Sequence, residues 1–419
     1  MSHIKMCAFE EYCSFHFISF PCTFCCLLNN LFSQVLIRMP EKGKIETGDR
    51  ILARCNTFLL LHNMFSSEGK FRKTYRHQFN QLRTGDETEI PMSTLASRIE
   101  TRKIPLTNGQ IHAIKEAPDE LVDIDGFQKI VTSKAAQRST IKRIMYDMAD
   151  PIMSDSQKIE VHSYIDSYSW CPPPIFMLLI TIIQVGIFFF YWESDGGRSI
   201  WTDCAGCFVH HNHTAPGIFI FAPKLRGEAW RFTSYMFLHA GLNHLLGNVI
   251  IQLLVGIPLE VAHKIWRIGP IYLLAVTSGS LLQYAIDPNS LLVGASAGVY
   301  ALIFAHVANV ILNWHEMPLR WIRVLVLFVF IFLDFGGAIH RRFYTNDCDS
   351  VSHLAHIAGA VTGLFFGYVV LYNVVEHRIE KIIRYVCLFL YSAFFATTII
   401  FVIVRQPYSK NLWNNENCS

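Results

Sequence analysis

Four polar side chains, His244, Asn248, Ser296 and His356, stand in stretches that are otherwise apolar. Ionisable and amide groups are costly in hydrocarbon, so each asks for a reason. A serine hydroxyl is inert until a base removes its proton, and an imidazole supplies that base and later the acid. An amide side chain suits the oxyanion of a tetrahedral intermediate, an interaction worth roughly 2.7–4 kcal/mol when one such donor is deleted. These residue types together make a set for peptide-bond hydrolysis. No Asp or Glu lies beside His356 in its apolar stretch, which points to a Ser–His dyad with the ring oriented by packing, Tyr300 being the candidate support.

Each residue alone has a blander reading. Ser296, in Gly294-Ala-Ser-Ala-Gly298, fits small-residue helix packing in lipid, and Asn248 fits interhelical hydrogen bonding. His356 alone could bond a neighbouring helix or relay protons. The same five residues match the nucleophile elbow of soluble hydrolases, but that motif needs a strand before it and a helix after it. What separates function from coincidence is convergence. With helices alternating in direction, the starts of the second, fourth and sixth apolar segments reach one membrane face, bringing His244 and Asn248, Ser296 and Tyr300, and His356 to one depth. The run Gly359-x-x-x-Gly363-x-x-x-Gly367 is a close-packing signature, and tight packing on the fourth segment is what would carry His356 to within about 3 Å of Ser296, the reach of a proton transfer.

The elements that must position these groups follow from composition. Hydrophobic residues make up 52% and charged residues 16% of 419, against roughly 45–50% and 25% in soluble chains. The excess is concentrated in seven candidate spans, at 174–192, 242–261, 268–286, 296–312, 321–339, 354–372 and 383–404. A net charge of +3 argues against nucleic acid as a partner, leaving the lipid bilayer as the first. Basic residues on both sides leave the orientation open by charge. The sequon Asn212-His-Thr214 and the loop cysteines favour a luminal or extracellular 193–241 loop, hence a cytosolic N-terminus. Cys204-x-x-Cys207 reads as a loop disulfide or two free thiols, and His210, His211 and His213 as a solvated loop; no metal and no cofactor are implied.

Residues 64–170 are polar and helical in pattern, with Ser93, Thr94 and Asp119 at expected helix caps. Asp119–Asp125 before Gly126 hints at an EF-hand loop, which needs oxygen ligands at positions 1, 3, 5 and 12. One register puts Leu121 at position 1 and Thr132 at position 12; the other puts Lys115 and Gly126 there. Both predict a degenerate pair that does not bind calcium well. Residues 1–63 are Cys-rich, poor both as a signal peptide and as a span, and Met64 is an alternative start. A short tail, 405–419, follows the last span.

In order and on the expected spans, Trp230-Arg231, His244-x-x-x-Asn248, Gly294-Ala-Ser296-Ala-Gly298-x-Tyr300 and Ala355-His356-x-x-Gly359 resemble the rhomboid intramembrane serine proteases, over about residues 170–404. The Cys171-Pro-Pro-Pro174 flank and the seventh span are similar to animal rhomboid-like proteins of the secretory pathway. The resemblance implies an all-α polytopic membrane protein: a six-helix core plus a seventh C-terminal helix at 171–404, after a small helical cytosolic domain at 64–170. It implies Ser296 as nucleophile and His356 as base, with Asn248, His244 and the Ser296 N–H as the oxyanion hole. Tyr300, Gly294, Gly359 and Gly363 support them, and Trp230 and Arg231 hold a membrane-embedded loop. Implied substrates are single-pass membrane proteins, often growth-factor precursors, cut in the Golgi, endosome or plasma membrane. His353, on the same face as His356, is the rival base. Inactive relatives lack the serine or the histidine, and this chain keeps both. Against the protease stand a non-catalytic membrane chaperone binding client spans, and a proton-coupled transporter, for which Asp334 is the one acidic candidate and no internal repeat is visible.

Overall fold

A computed structural model describes residues 70–166, 174–194, 199–208, 215–288, 290–314, 317, 320–340, 352–371 and 378–405. Residues 1–63, Cys171, the histidines at 210, 211 and 213, the sequon at Asn212, Cys348 and the tail with Cys418 lie outside them.

The polar region folds as two helix–strand–helix units: α1 (Lys70–Leu82), β1 (Ile90–Pro91) and α2 (Met92–Arg102), then α3 (Asn108–Glu116), β2 (Leu121–Val122) and α4 (Ile124–Val131). The strands pair antiparallel with Ile90 opposite Val122, and Phe79, Leu95, Ile99 and Phe127 fill the core between the helices. The loop oxygens work for the fold. Asp123 caps α4 through the Gly126 N–H at 2.8 Å, and Thr107 caps α3 in a capping box with Gln110. The expected caps at Ser93 and Thr94 are corrected: Pro91 precedes α2 and offers no side-chain cap. Instead Asp119 reaches across from the other unit and accepts the Ser93 N–H at 2.9 Å.

α5 (Thr140–Ala149) and α6 (Asp155–Asp166) join this unit to the apolar bundle. Met145, Tyr146, Ala149, Met153, Val161 and Ile165 form one buried cluster with Val261 and Ala262 of the bundle, and the Asn309 amide donates to the Ile152 carbonyl at 2.7 Å.

The bundle holds α7 (Ile175–Ser194), α8 (Gly241–His263), α9 (Ile265–Ile286), α10 (Ser296–Leu312), α11 (Arg320–His340), α12 (His353–Val370) and α13 (Arg378–Val404). Five of these helices are long and apolar enough to cross a membrane. Of the other two, α10 is apolar but has 17 residues, and α11 is a 21-residue, largely apolar helix with Arg320 and Arg323 in its first turn. A 17-residue helix spans about 26 Å at 1.5 Å per residue, short of a roughly 30 Å hydrocarbon core, which is tolerable where other helices enclose it. α9 is the inner post, with 67% of its apolar window buried against 22% for the peripheral α13. One polar group of the interior is closed on itself: Gln252 bonds Thr181 at 2.7 Å and Gln184 at 3.0 Å, and the Tyr272 hydroxyl donates to Gln252 at 2.6 Å. Glu260 accepts the Phe176 and Met177 N–H groups at 2.9 and 2.8 Å, capping α7 from α8. Midway along α12 a π-turn, Thr362–Phe366, interrupts the regular helix.

Candidate active site

The approach to α10 is set by its loop. Leu292 pairs with Phe221 in an isolated bridge, and the Gly294 N–H donates to the Tyr235 carbonyl at 3.0 Å. Gly294 holds φ +110°, which favours glycine, and a Cβ there would come within 2.7 Å of the His244 ring. The chain then enters α10 with Ser296, half-buried, as its first residue. Ala295 precedes it and provides no side-chain cap. The first N–H groups of a helix have no intrahelical acceptor and carry the positive end of its dipole.

His356 is buried and stacks on Tyr300, ring centroids 4.3 Å apart and planes 17° from parallel. Tyr300 stands one turn beyond Ser296 on the same face, so the imidazole lies along the face of α10 that carries the serine. Backbone contact makes this possible. A Cβ on Gly359 would meet the Ala297 carbonyl oxygen at 2.2 Å, and one on Gly363 the Ala301 carbonyl oxygen at 2.2 Å. His353, the other candidate base, is the first residue of α12, half-buried and edge-on to His356 at 6.1 Å. Ser352 caps the helix through the Ala355 N–H at 3.2 Å.

On α8, the Ala240 N–H donates to His244 Nδ1 at 3.3 Å. An accepting Nδ1 assigns the proton to Nε2, and Nε2 is one of the atoms lying against Gly294. A ring donor thus faces the loop that delivers Ser296. Asn248, buried, spends one amide N–H on the His244 carbonyl at 2.8 Å and keeps a second. Trp230 and Arg231 bond elsewhere: Trp230 Nε1 donates to the Ile218 carbonyl at 3.2 Å, and Arg231 to the Gly217 and Ile220 carbonyls and to Glu228. They fasten the 217–220 loop. Cys204 and Cys207 form a disulfide, and Cys204 pairs with Ala240, at the entry to α8.

His239 escaped the sequence reading. It is fully buried and edge-on to His244 at 5.3 Å; its position five residues before His244 was the available signal. Among the described residues no group of three or more His, Cys, Asp or Glu is arranged to hold a metal ion.

The Rhomboid domain model matches residues 226–373, a range that contains His244, Asn248, Ser296, Tyr300 and His356. The chain is similar to Rhomboid-related protein 3 of Homo sapiens, 35% identical over 243 residues, 57% of this chain and 58% of that protein. It is also similar to Rhomboid-related protein 2 of Mus musculus, 36% identical over 243 residues, 56% of this chain and 78% of that one. Inactive rhomboid-related protein 2 of Caenorhabditis elegans is 30% identical over 267 residues, 62% of this chain and 73% of that protein.

Proposed function

The chain belongs to the rhomboid family, and from that premise we propose that it is an intramembrane serine endopeptidase cutting single-pass membrane proteins within or near their spans. The observation that carries this reading is the stacking of His356 on Tyr300, one turn from Ser296, held by the Gly359 and Gly363 contacts.

In this mechanism Ser296 Oγ attacks the scissile carbonyl while His356 takes the hydroxyl proton. The tetrahedral oxyanion is met by donors at the bare start of α10, by the His244 Nε2–H and by the second N–H of Asn248. Collapse breaks the C–N bond, and protonated His356 returns its proton to the departing amine. Water then hydrolyses the acyl-enzyme with His356 again as base. Growth-factor-precursor substrates, a secretory-pathway membrane and a cytosolic N-terminal domain complete the reading. Since the chain spans 58% of the length of human Rhomboid-related protein 3, these remain part of the proposal.

A second reading, a non-catalytic factor binding client helices, is favoured by one observation, the name of the inactive Caenorhabditis elegans relative. Release of a tagged panel of single-pass proteins from cells separates the two. The protease reading expects release with the intact chain and none with Ser296→Ala or His356→Ala, while His353→Ala keeps activity. Release that persists in both dyad variants would sink it and favour the second.

A further inference from the structure

Helix α5 carries an apolar arc wider than the bundle covers. At 100° per residue, Ile144, Met148, Ile141, Met145 and Ala149 occupy one continuous arc of about 140°. Half of it, Met145 and Ala149, is buried with Val261 and Ala262 of α8. In the other half, Ile141 and Ile144 are 57% and 52% exposed. Adjacent exposed apolar side chains that continue a buried arc extend an interaction surface, unlike isolated ones, which need no explanation.

Depth along the bundle identifies the partner. α5 packs on the last two turns of α8, through Ile257, Val261 and Ala262. One turn deeper, Leu254 is 72% exposed, as a lipid-facing residue should be. Leu254 to Val261 is seven residues, about 10 Å of helix. The same level is marked independently by α7, whose first N–H groups bond Glu260. That first turn presents Ile175 and Leu178 outward. Exposed apolar residues therefore continue down to the level where α5 lies. Hydrocarbon and headgroup zones together measure about 40–45 Å, so this is the interfacial layer.

Charge agrees. Arg138 is exposed, and Arg143 spends only its Nε on the Gln137 carbonyl at 2.9 Å, leaving the rest of its guanidinium to solvent. Lys142 lies beside Ala149 at the buried edge of the arc and donates to the Asp166 carbonyl at 3.1 Å, while Asp147, next to Ile144 at the exposed edge, has its charge paired with Lys134. We propose that α5 is an interfacial helix that sets Ile141 and Ile144 into the leaflet on the N-terminal domain's side, with Arg143 and the preceding Arg138 meeting anionic lipid headgroups. The domain is thereby held flat against the membrane as well as against the bundle, by the physics of amphipathic surface helices.

The test uses the full chain in nanodiscs of equal phosphatidylcholine and phosphatidylserine. A benzophenone amino acid replaces Ile144 in one variant and Leu121, 64% exposed on β2, in another, and photoadducts are identified by mass spectrometry. The expected result is lipid adducts at position 144 at least ~5-fold above those at 121, with phosphatidylserine over phosphatidylcholine by ~2-fold or more. Adducts at 144 to another segment of this chain or to an added single-pass substrate, or a yield equal to that at 121, overturn the proposal. Lipid adducts without a phosphatidylserine preference overturn its electrostatic half.

Discussion

The polar N-terminal unit and the bundle treat helix beginnings differently. In the polar N-terminal unit Thr107 and Asp123 cap their own helices and Asp119 caps α2 from across the loop, so side chains satisfy several of the orphan N–H groups there. In the bundle Glu260 covers the start of α7 and Ser352 the start of α12, whereas α8, α9 and α10 open with no side-chain cap. A bare positive helix end is poor for stability and useful for meeting an oxyanion. A missing cap alone does not mark chemistry; what sets α10 apart is that Ser296 stands at its open start.

Removing a member of the dyad should break this comparison hardest. Ser296→Ala or His356→Ala is expected to cost on the order of 10⁴-fold in cleavage, read by single-turnover assay in proteoliposomes, while helix content stays unchanged by circular dichroism. Next come the glycines. Gly359→Val inserts side-chain atoms where even a Cβ meets backbone at 2.2 Å. Displacing His356 by about 1 Å should cost ~10²-fold, alongside a lower unfolding temperature. Asn248→Ala removes a donor without opening the α10–α12 contact. Cleavage should fall roughly 10²-fold with KM little changed, and an effect confined to KM would remove it from the oxyanion hole.

The polar N-terminal side of the comparison predicts smaller, purely structural effects. Thr107→Ala should destabilise the first domain by about 1 kcal/mol, seen as faster amide exchange in α3 with unchanged cleavage. Smallest is an acid limb. Hydrogen bonds from Arg98 first, then from Thr84, hold Glu87 at about 2, down from 4.5. A depressed carboxyl contributes stability above about 4.5 that is lost as pH falls toward 2. Glu87→Gln should flatten that loss only slightly, because the pair is exposed. Asp166 runs the other way: burial raises its carboxyl, so its contribution falls as pH rises above the unfolded value, and Asp166→Asn should remove that slope.

Much of this was legible in the sequence because the apolar blocks and the intramembrane polar residues are one-dimensional signals. The seven segments appear as helices close to the expected bounds, and the Gly359–Gly363 spacing foretold a close backbone approach. The pairing of Ile90 with Val122 joins the two helix–strand–helix units, which spacing alone left open. Long-range choices were not legible. Nothing local to Asp119 says that it caps α2, nothing in Met145 or Tyr146 says that they meet Val261, and the π-turn in α12 leaves no mark on composition. Gly294 was visible as a motif residue, but its +110° φ depends on where His244 stands.

The most direct test of the central claim is covalent labelling of the purified chain in detergent with a fluorophosphonate, which reports serine nucleophilicity without needing a substrate. The account predicts one adduct, on Ser296, lost in His356→Ala and kept in His353→Ala. Absence of any adduct, one on another serine, or undiminished labelling in His356→Ala would contradict it.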